Sequence, residues 1–160
     1  MKGTAVPNVF EGKPDRVQGR VAIIVSRYNE SVTERLLEGA LRTARANGLS
    51  DDRIDVVRVP GAWELSLAAM RAASSMSYEA VVCLGAVIRG ETSHDEHINR
   101  QVSESLGRIS LEHGVPIGFG LLTVNNLEQA LNRAGGSVGN KGEEATLAAL
   151  QMADLLASWD

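Results

Sequence analysis

Four short strand-like runs, each closed by a polar turn and followed by a helical pattern, limit this chain more than any other feature. They are Val21-Ala22-Ile23-Ile24-Val25, Ile54 to Val59, Val81 to Ile88 and Ile117 to Leu122. The first, third and fourth carry no charged or hydroxyl side chain at all. A strand of that kind is covered on both faces, as in a parallel sheet. Between the runs the spacing changes to that of helices. Ser31 and Glu34 read as a capping box ahead of Leu36, Leu37, Ala40, Leu41 and Ala44, with Asn47-Gly48 as the stop. Pro60-Gly61 ends the second run, and a helix starting near Trp63 is predicted to reach about Ser74. A third helix is predicted from about Ser93 to His113, with Ser93 and Glu96 as a capping box and Gly114 as the stop. Leu127 to Ala134 reads as a short helix, Gly135 to Asn140 as a loop, and Lys141 to Leu156 as the last helix.

Strand and helix alternate with short links. That predicts a three-layer α/β/α sandwich, a four-stranded parallel sheet in the flavodoxin-like order 2-1-3-4 with helices on both faces and right-handed crossovers. Residues 1–19, with three glycines, two prolines and no periodicity, read as an N-terminal arm; residues 20–160 read as one domain. A net charge of −4 gives no electrostatic reason to expect nucleic acid or an anionic membrane as partner. No apolar run approaches the roughly 20 residues that cross a bilayer, and the first residues lack the apolar stretch of a secretory signal. The single cysteine, Cys83, lies inside the third run, where packing is its expected role. A cytoplasmic location is expected.

In such sheets ligands bind beyond the carboxyl ends of the strands. The segments placed there are SRYNE, PGAWE, RGETSH and the loop from Thr123. The stretch from Val81 to Arg100 carries the most chemistry: a buried strand, a turn through Gly90-Glu91-Thr92, then a helix start at Ser93-His94. Helix N-termini leave N–H groups unpaired and attract anions. An anion site, phosphate by preference, is therefore expected at Glu91 and Thr92, with His94 beside it as a proton-transfer residue. Tyr28, Trp63 and Phe119 fall at or near strand ends in a chain with only 4% aromatic residues, which suits a pocket for a flat ring. Asn29 offers an amide to such a ring, Gly61-Ala62 allow close approach to main-chain amides, and Glu64 offers an acceptor to hydroxyls. The competing readings are a turn aromatic capping the core and first-turn acidic decoration. His94 and His97 share one side of a helix, but His113 lies far along it, so no metal site is expected and His97 reads as a surface residue. Arg133 and Lys141 flank a glycine-rich loop that is not a P-loop; alone they read as a helix C-cap and a loop lysine. No nucleophile elbow, Cys–His pair or dinucleotide fingerprint occurs.

Taken together, Ser26-Arg27-Tyr28-Asn29, Val59-Pro60-Gly61-Ala62-Trp63-Glu64-Leu65, Gly85 to His94, Gly118 to Thr123, and Asn132-Arg133-Ala134-Gly135 through Gly139-Asn140-Lys141-Gly142 closely resemble the 6,7-dimethyl-8-ribityllumazine synthase family. The resemblance covers nearly everything after residue 20. It implies condensation of 5-amino-6-(D-ribitylamino)uracil with 3,4-dihydroxy-2-butanone 4-phosphate, without metal or organic cofactor. It further implies that Tyr28, Asn29, Ala62, Trp63, Glu64, Ala86, Val87 and Ile88 bind the uracil and its ribityl chain. Glu91, Thr92 and Arg133 would hold the phosphate substrate, and His94 would transfer protons. Phe119, Arg133 and a supporting Lys141 would reach across from a neighbouring subunit. Family members form homopentamers, some of them sixty-subunit shells, and riboflavin synthase is a possible partner. Tyr28 and Trp63 stand where phenylalanine is common, Ser66 where proline is frequent, and Asp95 where an aromatic is frequent. A lumazine- or flavin-binding carrier and a shell protein with secondary catalysis are the two rival functions on the same fold.

Overall fold

The computed structural model describes residues 3–159; Met1 and Lys2 of the expected arm, and Asp160, lie outside the described residues. Strands β1 (Val21–Ser26), β2 (Ile54–Val59), β3 (Ala80–Ile88) and β4 (Ile117–Val124) form one parallel sheet in the order β2-β1-β3-β4. Helices α1 (Glu30–Ala46) and α5 (Lys141–Ser158) cover one face, while α2 (Leu65–Ser74) and α3 (His94–His113) cover the other. The expected α/β architecture and strand order are those observed. The unbroken apolar runs now have their reason. Val21, Ile23, Val25, Val82 and Leu84 pack toward α1 and α5, whereas Ala22, Ile24, Val81 and Cys83 pack toward α2 and α3. Each fully buried Val, Leu or Ile contributes about 1.5–3 kcal/mol relative to exposure. Cys83 is completely buried, and burial pushes its thiol up to about 12, so it is a core residue.

At the amino end of the sheet three chain segments are clasped together. The Arg20 guanidinium donates to both oxygens of Asp55 on β2 and to the carbonyl of Asp52, and the Tyr78 hydroxyl donates to Asp55 Oδ2 at 2.6 Å. The hydrogen bond from Arg20, then that from Tyr78, hold the Asp55 carboxyl below its ordinary range. A carboxylate whose folded pKa is depressed stabilises the fold above its unfolded pKa and loses that contribution as pH falls. Asp55→Asn is therefore expected to flatten the acid limb of a stability–pH curve below about pH 4 while removing stability near neutrality. Parallel limbs for the two proteins would contradict this.

Several local expectations differ from what is observed. Helix α1 begins at Glu30 with Asn29 as N-cap in the left-handed conformation (φ 64°, ψ 47°), so Ser31 lies inside the first turn and caps nothing. Glu34 instead pairs with Arg58 on β2. Ser93 is the N-cap of α3, but its side chain makes no capping bond. The nearest substitute is the Thr92 hydroxyl, which accepts from the His94 N–H at 3.4 Å. The short helix α4 (Leu127–Asn132) ends before Arg133 and Ala134, and the segment read as a loop is a small hairpin of β5 (Ala134–Gly136) and β6 (Gly139–Asn140). Strand β4 and helix α5 each run two residues further than expected, to Val124 and Ser158.

Asn140 ends the hairpin and opens α5. Its Oδ1 accepts from the N–H groups of Gly142 and Glu143, at 2.8 and 3.3 Å, while its Nδ2 donates to the Arg35 carbonyl at 3.1 Å. It is 6% exposed. Asn140→Ala removes a cap and the second donor to the Arg35 carbonyl, which keeps its bond within α1, so a loss of about 1–2 kcal/mol is expected. The check is the denaturant midpoint at fixed protein concentration.

Residues 3–11 carry no regular structure and are exposed. From Gly12 onward the chain lies on α5: the Lys13 N–H donates to Asp154 Oδ2 at 2.7 Å, and Val17 is buried. The Phe10 and Trp159 ring centroids are 6.3 Å apart.

Candidate active site

The sheet order reverses between β1 and β3, and the strands separate there. Pairing of β1 with β3 stops at Val25 and Leu84, whereas β3 stays paired to β4 as far as Ile88 and Val124. The last residues of β3 therefore have an open flank, and a cleft of about 530 Å³ lies against it. The turn after β1 supplies Tyr28 and Asn29, the turn after β2 supplies Pro60 to Glu64, and β3 supplies Ala86, Val87 and Ile88. Gly90, Thr92, His94, Asp95 and Ile98 complete the lining from the β3–α3 connection.

Tyr28 is 75% exposed and Trp63 is 53% exposed, so two large aromatic surfaces stand at the rim with little of the chain against them. Burying such rings against a flat ligand would recover contact area that the isolated chain leaves in water. Glu64 is partly engaged, since its Oε2 accepts from the Gly61 N–H at 3.1 Å. The bond fixes the tight turn through Ala62 and Trp63. Asn29 donates from Nδ2 to the Ala86 carbonyl at 2.8 Å and so bridges the two diverging strands. His94 is the first residue of α3, exposed and on the cleft wall. Among the described residues no acceptor bonds the main-chain N–H groups of Glu91 and Thr92. Unpaired amides before a helix of 20 residues, with a histidine beside them, suit an anion next to a proton carrier. His97 is exposed, and among the described residues no three His, Cys, Asp or Glu side chains gather as metal ligands.

A family model for 6,7-dimethyl-8-ribityllumazine synthase matches residues 18–157. A 6,7-dimethyl-8-ribityllumazine synthase of Desulfotalea psychrophila is 46% identical over 151 residues, which is 94% of this chain and 97% of that protein. The chain belongs to the lumazine synthase family. Lumazine synthases are transferases of riboflavin biosynthesis that act on small molecules as oligomers. Among the described residues no helix is long and apolar enough to cross a membrane.

Of the residues singled out in the sequence for a lumazine synthase site, Tyr28, Asn29, Ala62, Trp63, Glu64, Ala86, Val87, Ile88, Thr92 and His94 line this one cleft. Glu91 is exposed and does not line it. Phe119, Arg133 and Lys141 lie elsewhere. Phe119 and Lys141 line a groove along β4, α5 and the end of α3, and Arg133 and Lys141 line a depression with Thr123, Val138 and Glu144. Lys141 joins these two surfaces into one strip beside β4, an edge strand of the sheet. The sequence reading missed Ile98 as a cleft residue. It sits four residues after His94 on the same helix, a spacing that would have placed it on the same wall.

Proposed function

We propose that the chain joins 5-amino-6-(D-ribitylamino)uracil to 3,4-dihydroxy-2-butanone 4-phosphate through the cleft beyond β1 and β3, releasing water and phosphate and closing the lumazine ring. This is the penultimate step of riboflavin biosynthesis. The observation that carries the residue roles is the gathering of Tyr28, Trp63, Ala86 to Ile88, Thr92 and His94 on one surface. The Tyr28 ring stacks on the uracil. Ala62, Trp63, Glu64 and the end of β3 hold its polar edge and the ribityl chain. The phosphate sits on the amides of Glu91 and Thr92. Imine formation, phosphate loss and ring closure each move a proton between nitrogen, carbon and oxygen, and the imidazole of His94 carries it. No electrons enter or leave the pair of substrates, so no redox partner is needed. Holding the two molecules together supplies much of the remaining acceleration.

The strip of Phe119, Arg133 and Lys141 serves the cleft of a neighbouring copy, with Arg133 on the phosphate and Lys141 supporting. The assembly is a pentamer, and the short hairpin between Arg133 and Lys141 favours a sixty-subunit shell, which light scattering distinguishes from a free pentamer. The arm pairs with a neighbour's sheet edge, blunting β2. The protein works in the cytoplasm, with riboflavin synthase as the consumer of its product.

The test is absorbance: mixing both substrates with the protein should develop the lumazine chromophore. His94→Ala should lower kcat about 10²-fold without abolishing turnover, since binding and orientation persist. Tight product binding without condensation would favour a carrier instead.

A further inference from the structure

The cleft that would receive a phosphate carries no cation of its own. Among the described residues its lining holds two carboxylates, Glu64 and Asp95, and the imidazole of His94, but neither lysine nor arginine. Glu64 is engaged, since the Gly61 N–H donates to its Oε2 at 3.1 Å. Asp95 is not. It is half-buried in the first turn of α3, and no ion pair among the described residues reaches its carboxylate.

That position bears on anions. The unpaired N–H groups of Glu91 and Thr92 lie just before the same helix, and Thr92 and Asp95 line the same cleft. A first-turn carboxylate already occupies the favourable field of a helix N-terminus. An anion brought to that end meets a like charge. On its other side Asp95 lines a smaller cavity of about 170 Å³ together with Arg89, Glu96 and Asn99. Asp95 is the one residue common to both cavities, so it forms the partition between them. Arg89 is the cation on the far side, but it faces Glu96 as well as Asp95 and is ion-paired to neither. The connection from Arg89 to Glu96 carries Glu91, Asp95 and Glu96 against that single arginine. Arg89 can neutralise one of them, and the turn stays acidic.

We propose that Asp95 is a specificity-determining residue for the phosphate end of the site: its carboxylate weakens the hold of the Glu91–Thr92 turn on a phosphate group, so that inorganic phosphate leaves once it has been released. This rests on the reading of that turn as the phosphate seat. The same repulsion acts on the phosphate substrate, whose retention then depends on a cation that the cleft of its own chain does not supply. The pyrimidine carries no such charge, and its binding is left alone.

The test uses the assembled protein, with inorganic phosphate as competitor against the butanone phosphate. Asp95→Asn keeps the shape and removes the charge. The inhibition constant of inorganic phosphate should fall about fivefold, as expected for a like charge a few ångströms away in a solvated cleft. KM for the butanone phosphate should fall with it, while KM for the ribitylaminouracil stays unchanged. Progress curves should flatten earlier as phosphate accumulates. Asp95→Glu keeps the charge and should leave the inhibition constant within about twofold of wild type. Added salt should narrow the gap between wild type and Asp95→Asn, because it screens the repulsion. The sign separates this role from support of α3: losing a first-turn acid that only stabilised the helix would loosen the turn and weaken phosphate binding. An unchanged or raised inhibition constant in Asp95→Asn, or an equal fall in KM for both substrates, would overturn the proposal. Wild-type protein that forms no lumazine, or on which inorganic phosphate does not compete with the butanone phosphate, would instead remove the reading of the turn and the proposal with it.

Discussion

Gly142→Ala should lose about 3 kcal/mol or more of stability, although alanine is the better helix former by roughly 1 kcal/mol. Gly142 is in the first turn of α5, where that helix crosses α1. A Cβ built there would stand 2.0 Å from the Leu36 carbonyl oxygen and 2.8 Å from its carbon. Those are main-chain atoms inside a helix, so no side-chain rotation relieves the overlap. Across the same contact Gly39 on α1 leaves room for the Asn140 carboxamide, whose atoms would lie 2.5 Å from any added Cβ. Relief would require α5 to move off α1. That would break the Asn140 bond to the Arg35 carbonyl on α1 and carry Lys141 with it. Calorimetry and denaturant titration should show the loss, and whatever folded fraction remains should use the phosphate substrate poorly. A Gly142→Ala protein as stable as the parent would mean that the two helices are not held at this distance.

The layers of this fold were open to reading because they depend on local pattern. The apolar runs of β1 and β3 record burial on both faces, and Gly114, found left-handed at φ 65°, ends α3 where it was expected to. What the sequence did not disclose was settled by contacts distant along the chain. Ser31 and Glu34 have the spacing of a capping box, but Arg58 on β2 takes Glu34. Asn29 becomes the N-cap because Ala86, reached only after two further strands have been laid down, accepts from its amide. Asn140 looks like an ordinary loop residue until Arg35 is brought to it across α1. The hairpin of β5 and β6 has strands of three and two residues, too short for alternation to register. The site divides along the same line. Residues near the ends of β1, β2 and β3 share an edge by topology alone, and they meet in the cleft. Arg133, Lys141 and Phe119 have no such constraint toward that edge within a single chain.

That separation leads to the second large effect. His94→Ala and Arg133→Ala proteins, each strongly impaired alone, should regain activity when unfolded together and reassembled. His94 lies on the cleft, whereas Arg133 lies in the depression beside β4 and lines no part of the cleft in its own chain. If Arg133 serves a neighbour's phosphate, each working site takes its imidazole from one copy and its guanidinium from the next. In a closed ring mixed one to one, about a quarter of the sites then pair an intact His94 with an intact Arg133. Activity should approach about a quarter of wild type, well above that of either protein alone, and the restored sites should show the wild-type KM for the butanone phosphate. A site complete within one chain allows no such recovery, because every copy carries one lesion. Activity of the mixture equal to the mean of the two separate proteins would therefore assign Arg133 to its own chain's cleft. It would also require the segment around it to move, since in the present position Arg133 lines the depression with Thr123 and Val138 and no part of the cleft that His94 lines.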